Sequence, residues 1–224
     1  MKTLEYRFAL QRSATILAVT AFSLVLLAGI TGILISYYYQ PTAGGAFSSL
    51  RQITESIPNG VLIRSLHDLA GNGLIVVALL QIVVLFLGRQ FRPSWIAAWI
   101  SSIVYALVAI GLSWTAIILD WDQVGYWRFK VELKTIEIIP IIGSSLRDIL
   151  TGGNGVNSIT VAHLYTLHSY VLSGVAIALA VFHLGALVYQ EQERRQVRTR
   201  LNGVVSRAGD PTAENAEQAP ANVS

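Results

Sequence analysis

The chain has 224 residues, 53% hydrophobic and only 13% charged, with a mean hydropathy of +0.55, a balance that excludes an ordinary soluble domain and indicates an integral membrane protein. It contains no cysteine, which excludes disulfides, thiolate-held zinc, iron–sulfur clusters and thioether-attached cofactors, so a metal centre here must rest on histidine. The formal charge of +3 comes mostly from segment ends and bears on membrane topology, with no nucleic-acid partner implied.

A bilayer core about 30 Å thick needs roughly 20 helical residues. Four apolar runs qualify, at about 10–38, 65–88, 95–119 and 163–189. The first exceeds the roughly 7–15 apolar residues of a signal peptide and has no small-residue cleavage site, so it reads as a retained helix. Lys2, Arg7 and Arg12 precede it, Arg89 and Arg92 lie in the short second loop, and Arg194, Arg195, Arg198 and Arg200 follow the last run. The positive-inside rule therefore assigns both termini and the second loop to the cytoplasm or its equivalent. The longer connections, 39–64 and 120–162, fall on the opposite, electropositive side. The second of them carries "LDWDQVGYWRFK", whose Trp121, Tyr126 and Trp127 suit a membrane interface. The domain reading is a four-helix membrane unit over 1–190 and a basic cytoplasmic tail over 191–224, disordered from about 203.

Polar residues inside such helices are costly and mark candidate functional positions. The second run begins near His67 and carries Gln81 fourteen residues later, while the fourth carries His168 and, fifteen residues later, His183. Each pair stays within roughly 40–60° of one helix face and spans about 21–22 Å along the axis. Two levels in one bundle result: His67 faces His168 near the electropositive side, and Gln81 faces His183 nearer the cytoplasm. Two facing imidazoles in an apolar bundle make an axial haem-ligand pair, whereas a single histidine there more often serves helix packing. The fourth histidine, His163, sits at the outer interface, five residues before His168. It reads as an interfacial polar residue, with a quinone or propionate contact as the alternative.

The segments "SYYYQPTAGGAFSSL", "LIRSLH", "LDWDQVGYW", "IPIIGSSL" and "LYTLHSYVL", in one register over roughly 10–190, closely resemble cytochrome b6 and the amino-terminal half of the cytochrome b of quinol-oxidising bc-type complexes. The resemblance implies an all-α, four-helix haem-binding membrane subunit of a bacterial plasma membrane or thylakoid. It implies an outer haem b held by His67 and His168, packing at Gly32 and Ala116, and a propionate contact from Arg64. Quinol would bind beside Trp121, Asp122, Tyr126, Trp127, Pro140 and Gly143. Implied partners are a subunit IV-like or carboxy-terminal cytochrome b half, a Rieske iron–sulfur protein and a c-type cytochrome, in a dimeric complex embedded in membrane lipids.

Departures from the family pattern cluster at the inner level. Gln81 stands where the family has a second histidine opposite His183. Ala18 and Ser102 stand where it packs glycine, and Val188 and Tyr189 replace a basic pair. Ile16 replaces the cysteine that holds the family's extra haem. Asp68 stands where the family usually has arginine, which weakens the outer propionate clamp. The expectation is one bis-histidine haem b, with the inner level empty or holding an altered haem on His183. The leading reading is an electron-transfer subunit, not a complete oxidoreductase by itself. A structural or accessory subunit with a degenerate inner site is the alternative, and the haem-carrying anchor of a respiratory dehydrogenase or nitrate reductase is a third.

Overall fold

The computed structural model describes residues 2–88, 93–153 and 155–208. Among them there is no strand. The helices are α1 (Lys2–Ser36), α2 (Ala46–Ser56), α3 (Gly60–Gly88), α4 (Pro93–Leu119), α5 (Gln123–Glu137), α6 (Gly143–Thr151), α7 (Ser158–Thr166) and α8 (Ser173–Ala208), with a π-helical turn over Leu167–Leu172 joining the last two.

Four segments are long and apolar enough to cross a membrane, Ala9–Ser36, Gly60–Gly88, Trp95–Leu119 and Ser158–Val197, and they contain the cores of the four runs read from the sequence. Two start earlier than expected. α3 begins directly after Asn59, whose φ of 60° turns the chain. α7 begins at a reciprocal cap in which Asn157 and Thr160 each bond the other's backbone.

The buried stripe of α1 is Ala14, Ala18, Ala21 and Val25, and that of α3 is Ala70, Leu74, Ala78, Gln81 and Leu85. Both recur every three to four residues, and their alanines let backbones approach, as membrane helix pairs require. Large apolar side chains such as Ile16, Ile30, Val76 and Phe86 point outward, where lipid would cover them. α3 packs against α1 and α4, and α8 against α4 and α1, so α3 and α8 face each other across the diagonal of the bundle.

Three apolar clusters stack along the axis. An inner one holds Ala14, Ala18, Leu85, Trp95, Ala98 and Leu187. A middle one includes Ala21, Leu74, Tyr105 and Ala176. An outer one joins Tyr39, Ile53, Ile118, Phe129 and Leu164, so α2, α5 and α7 cap that end of the bundle. The two long connections are thus largely helical.

The carboxy-terminal end also differs. α8 continues to Ala208, through positions 203–208 that the sequence assigned to a disordered tail. Glutamine, glutamate and arginine are good helix formers, Glu191 and Arg195 pair at 2.6 Å one turn apart, and the first proline comes only at Pro211. Residues 209–224 of the expected tail, and Arg89 and Arg92 of the second loop, lie outside the described residues.

Candidate functional site

At the level between the middle and outer clusters, His67 of α3 and His168 of the π-helical turn face each other, ring centroids 6.3 Å apart and planes at 60°. Coaxial imidazoles bound to one first-row metal at about 2.0 Å per bond would have centroids roughly 6 Å apart, so the separation suits a single iron between them. The rings' other nitrogens are already committed. His67 Nδ1 lies 3.0 Å from the Ala28 carbonyl, which can only accept, so Nδ1–H donates and Nε2 keeps its lone pair; Thr31 Oγ1 stands 3.2 Å away. His168 Nδ1 lies 2.8 Å from Thr115 Oγ1. The Thr115 hydroxyl proton goes back to the carbonyls of Gly111 or Leu112, each 2.9 Å away, so here too Nδ1–H donates. Both histidines therefore present a basic Nε2, the tautomer that a hydrogen bond from the far ring nitrogen imposes on metal-binding imidazoles.

Room exists at this level. A Cβ on Gly32 would meet His67 Cε1 at 3.1 Å, while side chains added at Gly29 or Gly71 would meet nothing within 4 Å. His67 and His168 are only half-buried although they sit inside the bundle. These features fit a flat macrocycle lying against α1 and α3. Ala116, on the opposite helix, is likewise half-buried.

The inner level is built on the same pattern. Gln81 donates from its amide to the Ala14 carbonyl at 3.1 Å, fourteen residues before Ala28, just as Gln81 lies fourteen after His67. His183 Nδ1 pairs with Ser101 Oγ at 2.8 Å, and Ser101 lies fourteen before Thr115. The fourth helix alone spaces its pair by fifteen. At about 100° per residue, that leaves His183 some 60° ahead of His168, against some 40° behind for Gln81 and His67. The π-helical turn, in which the Ser173 N–H reaches the His168 carbonyl, takes up the extra residue and brings the two helices back into step.

The outer surface is more strongly charged. Arg64 Nη2 bonds Asp120 Oδ1 at 2.9 Å, and its Nε is 3.9 Å from Asp68 Oδ2, so carboxylates of this chain already hold the guanidinium expected at a propionate. Burial raises the Asp120 pKa above the ordinary carboxylate range; Arg64 pulls it down, and Asp68 and Asp122 push it up. Asp122 caps α5, accepting from the Gly125 N–H at 2.7 Å. Trp121, Tyr126 and Trp127 form a chain of edge-to-face rings with centroids 5.7 and 5.4 Å apart, with the Lys130 ammonium over the last two. Pro140 and Gly143 lie beyond the far end of α5, which carries the chain about 16 Å from Tyr126 to Glu137. His163 sits apart, its Nδ1 3.1 Å from the Ile149 carbonyl, where it ties α7 to α6. Val188, Tyr189 and Ile16 all point outward.

Sequence reasoning missed Thr31, Thr115 and Ser101. A usable signal was present, since Ser101 and Thr115 repeat on α4 the fourteen-residue interval of α3, and Thr31 and Thr115 each immediately precede the small residue expected to pack the cofactor.

Comparisons with known proteins bear on the family and the fold. The family model Cytochrome b/b6/petB matches residues 9–191. Cytochrome b6 of Cyanidium caldarium is 34% identical over 153 residues, covering 68% of this chain and 71% of that protein. Those of Desmonostoc sp. and Acaryochloris marina are 32% and 33% identical over the same share of each chain. A chain of a hyperthermophilic respiratory Complex III superposes with a TM-score of 0.67 at 24% identity, over 79% of this chain and 47% of that one. It supports the fold, and this chain spans less than half its length. With one family model covering most of the sequence and relatives above 30% identity over two thirds of each partner, the chain belongs to the cytochrome b/b6 family of integral membrane, haem-b electron-transport proteins.

Proposed function

We propose that this chain is the haem-b electron-transfer subunit of a quinol-oxidising complex of the b6f/bc type, with its haem iron held by Nε2 of His67 and His168. The single observation that carries this is the facing pair of imidazoles at 6.3 Å, each with Nδ1–H bonded so that Nε2 is free to ligate. When bound, the haem supplies a one-electron carrier whose potential the axial ligands and their surroundings tune.

The chain's own residues do the positioning. Ala28 and Thr115 fix the rotation and tautomer of the two rings. Gly32 withholds a side chain where a macrocycle would lie against α1. The aromatic row Trp121, Tyr126 and Trp127 anchors the outer surface at the membrane interface, beside the region where quinol would approach. Arg64, Asp68 and Asp120 set the charge near the outer end of the haem pocket, and Asp120, held above the usual carboxylate range, is suited to take up a proton there.

Both termini lie on the cytoplasmic side by the arginine distribution. The rest of the quinol site, a Rieske iron–sulfur protein and a c-type cytochrome come from partner chains, in a complex that is a dimer. Replacing His168 with alanine tests this reading: the low-spin haem-b absorption of the purified complex is expected to vanish, and its full survival would refute the ligand assignment.

A further inference from the structure

Where the outer level is open, the inner level is shut. Gln81 and His183 are 3% and 2% exposed, unlike the half-buried outer histidines. Ala18, fourteen residues before Gly32, is buried in the inner apolar cluster with Leu85 and Leu187, and Ser102 is 1% exposed with its hydroxyl bonded to the Trp99 carbonyl. A macrocycle needs at this depth the close backbone approach that Gly32 allows above, and methyl and hydroxymethyl groups fill that space. The side chains nevertheless keep the outer level's partnerships, Gln81 to Ala14 and His183 to Ser101. Two buried polar atoms are left over, Gln81 Oε1 and His183 Nε2, on the diagonal helices α3 and α8. As at Thr115, the Ser101 hydroxyl proton returns to its own helix, to the Ala98 carbonyl at 3.0 Å, so His183 Nδ1–H donates to Ser101 and the two leftover atoms, Gln81 Oε1 and His183 Nε2, are both acceptors.

We infer that the inner level is a haem-free polar seam of two separate hydrogen-bonded pairs, Ser101 with His183 joining α4 to α8 and Gln81 with the Ala14 carbonyl joining α3 to α1. Interhelical polar contacts of this kind hold membrane bundles together. The inference rests on the outer haem proposed above and adds a consequence for its function. The chain has a single redox centre, so an electron that reaches the outer level leaves on the outer side and does not cross the membrane through this subunit. It also explains why His183 persists without a histidine opposite it: the ring is a structural cross-link.

Non-covalent haem b counted per chain in the purified native complex, with carbon monoxide added to the reduced form, tests the inference. The expected result is one haem b per chain with no carbon monoxide-binding fraction. Two haems per chain, or a carbon monoxide-binding species beside the low-spin one, would overturn it while leaving the outer site intact; no haem at all would instead refute the outer site, and this inference with it. His183→Leu and Gln81→Leu should each leave the haem-to-chain ratio and the α-band unchanged while lowering the melting temperature. Loss or conversion of any haem in either variant would overturn the seam. Should His183→Leu fail to accumulate, the wild-type stoichiometry and Gln81→Leu each decide the question alone.

Discussion

Thr115→Val isolates what the hydrogen bond behind His168 contributes to the outer haem. Thr115 is fully buried, and valine keeps its shape while removing the oxygen that accepts from His168 Nδ1–H at 2.8 Å. The threonine's own hydroxyl proton only returns to carbonyls of its helix, so the substitution leaves those carbonyls with their helical partners and one ring N–H without an acceptor. An unsatisfied buried donor costs about 1–3 kcal/mol, which corresponds to a roughly 5- to 150-fold weaker hold on the cofactor, in line with the roughly 10- to 100-fold typical when a ligand's hydrogen-bond partner is removed. The lost bond also makes His168 a weaker base, which destabilises the ferric more than the ferrous state. If about 1 kcal/mol of the bond is specific to the ferric state, the midpoint potential rises by about 40 mV. Haem transfer to apomyoglobin measures the first effect and a redox titration the second, with Thr115→Ser restoring both. Unchanged haem retention together with an unchanged potential would refute the assignment of Thr115 as the residue that orients His168.

Three further predictions follow the same logic. Gly32→Val puts branched carbons where even a single Cβ would lie 3.1 Å from the His67 ring, and haem content should fall several-fold with little change in helicity by circular dichroism; normal haem content would contradict the close approach. Deleting Val171 from the π-helical turn should restore an ordinary α-helix and keep the low-spin spectrum, whereas deleting Val76 from α3, which has no such turn to absorb the loss, should rotate the rest of that helix by about 100° and collapse the fold; equal outcomes in an expression and absorption assay would contradict the role given to the turn. Because Asp120 is held above the ordinary carboxylate range, the folded chain binds its proton more tightly than the unfolded chain, so stability should fall as pH rises from about 4 through the raised value. Asp120→Asn should flatten that slope in melting curves, and an unchanged slope would assign it to another group.

Much of the site was legible because the membrane imposes strong rules. Polar residues in apolar helices are few, so His67, His168, His183 and Gln81 mark the positions that matter, and their spacing alone orders them into two depths. Gly32 and Ala18 could be read as a close-approach position and a filled one; a Cβ at Gly32 would lie 3.1 Å from the His67 ring, while Ala18 is buried in the inner cluster. Thr31, Thr115 and Ser101 escaped notice because serine and threonine are common in membrane helices, where their hydroxyls return to their own backbone; only the geometry distinguishes those that also meet a ring. The π-helical turn was hidden because a spacing of fifteen is tolerable on an α-helix taken alone, and becomes informative only against the fourteen of the facing helix. Arg64 was read as a propionate partner from the resemblance. Its engagement by Asp120 depends on the fold bringing together residues 56 apart, which no local pattern discloses. α2, α5, α6 and α7 were read mainly as connections because their apolar faces are short and interrupted by charges, and they become helices on meeting the outer cluster.

The central claim is that one iron sits between His67 and His168. A density map of the native complex tests it directly: iron is predicted at about 2.0 Å from Nε2 of both histidines, with Nδ1 of each still bonded to Ala28 and Thr115. A haem bound to only one of them, or no haem at that level, would contradict it.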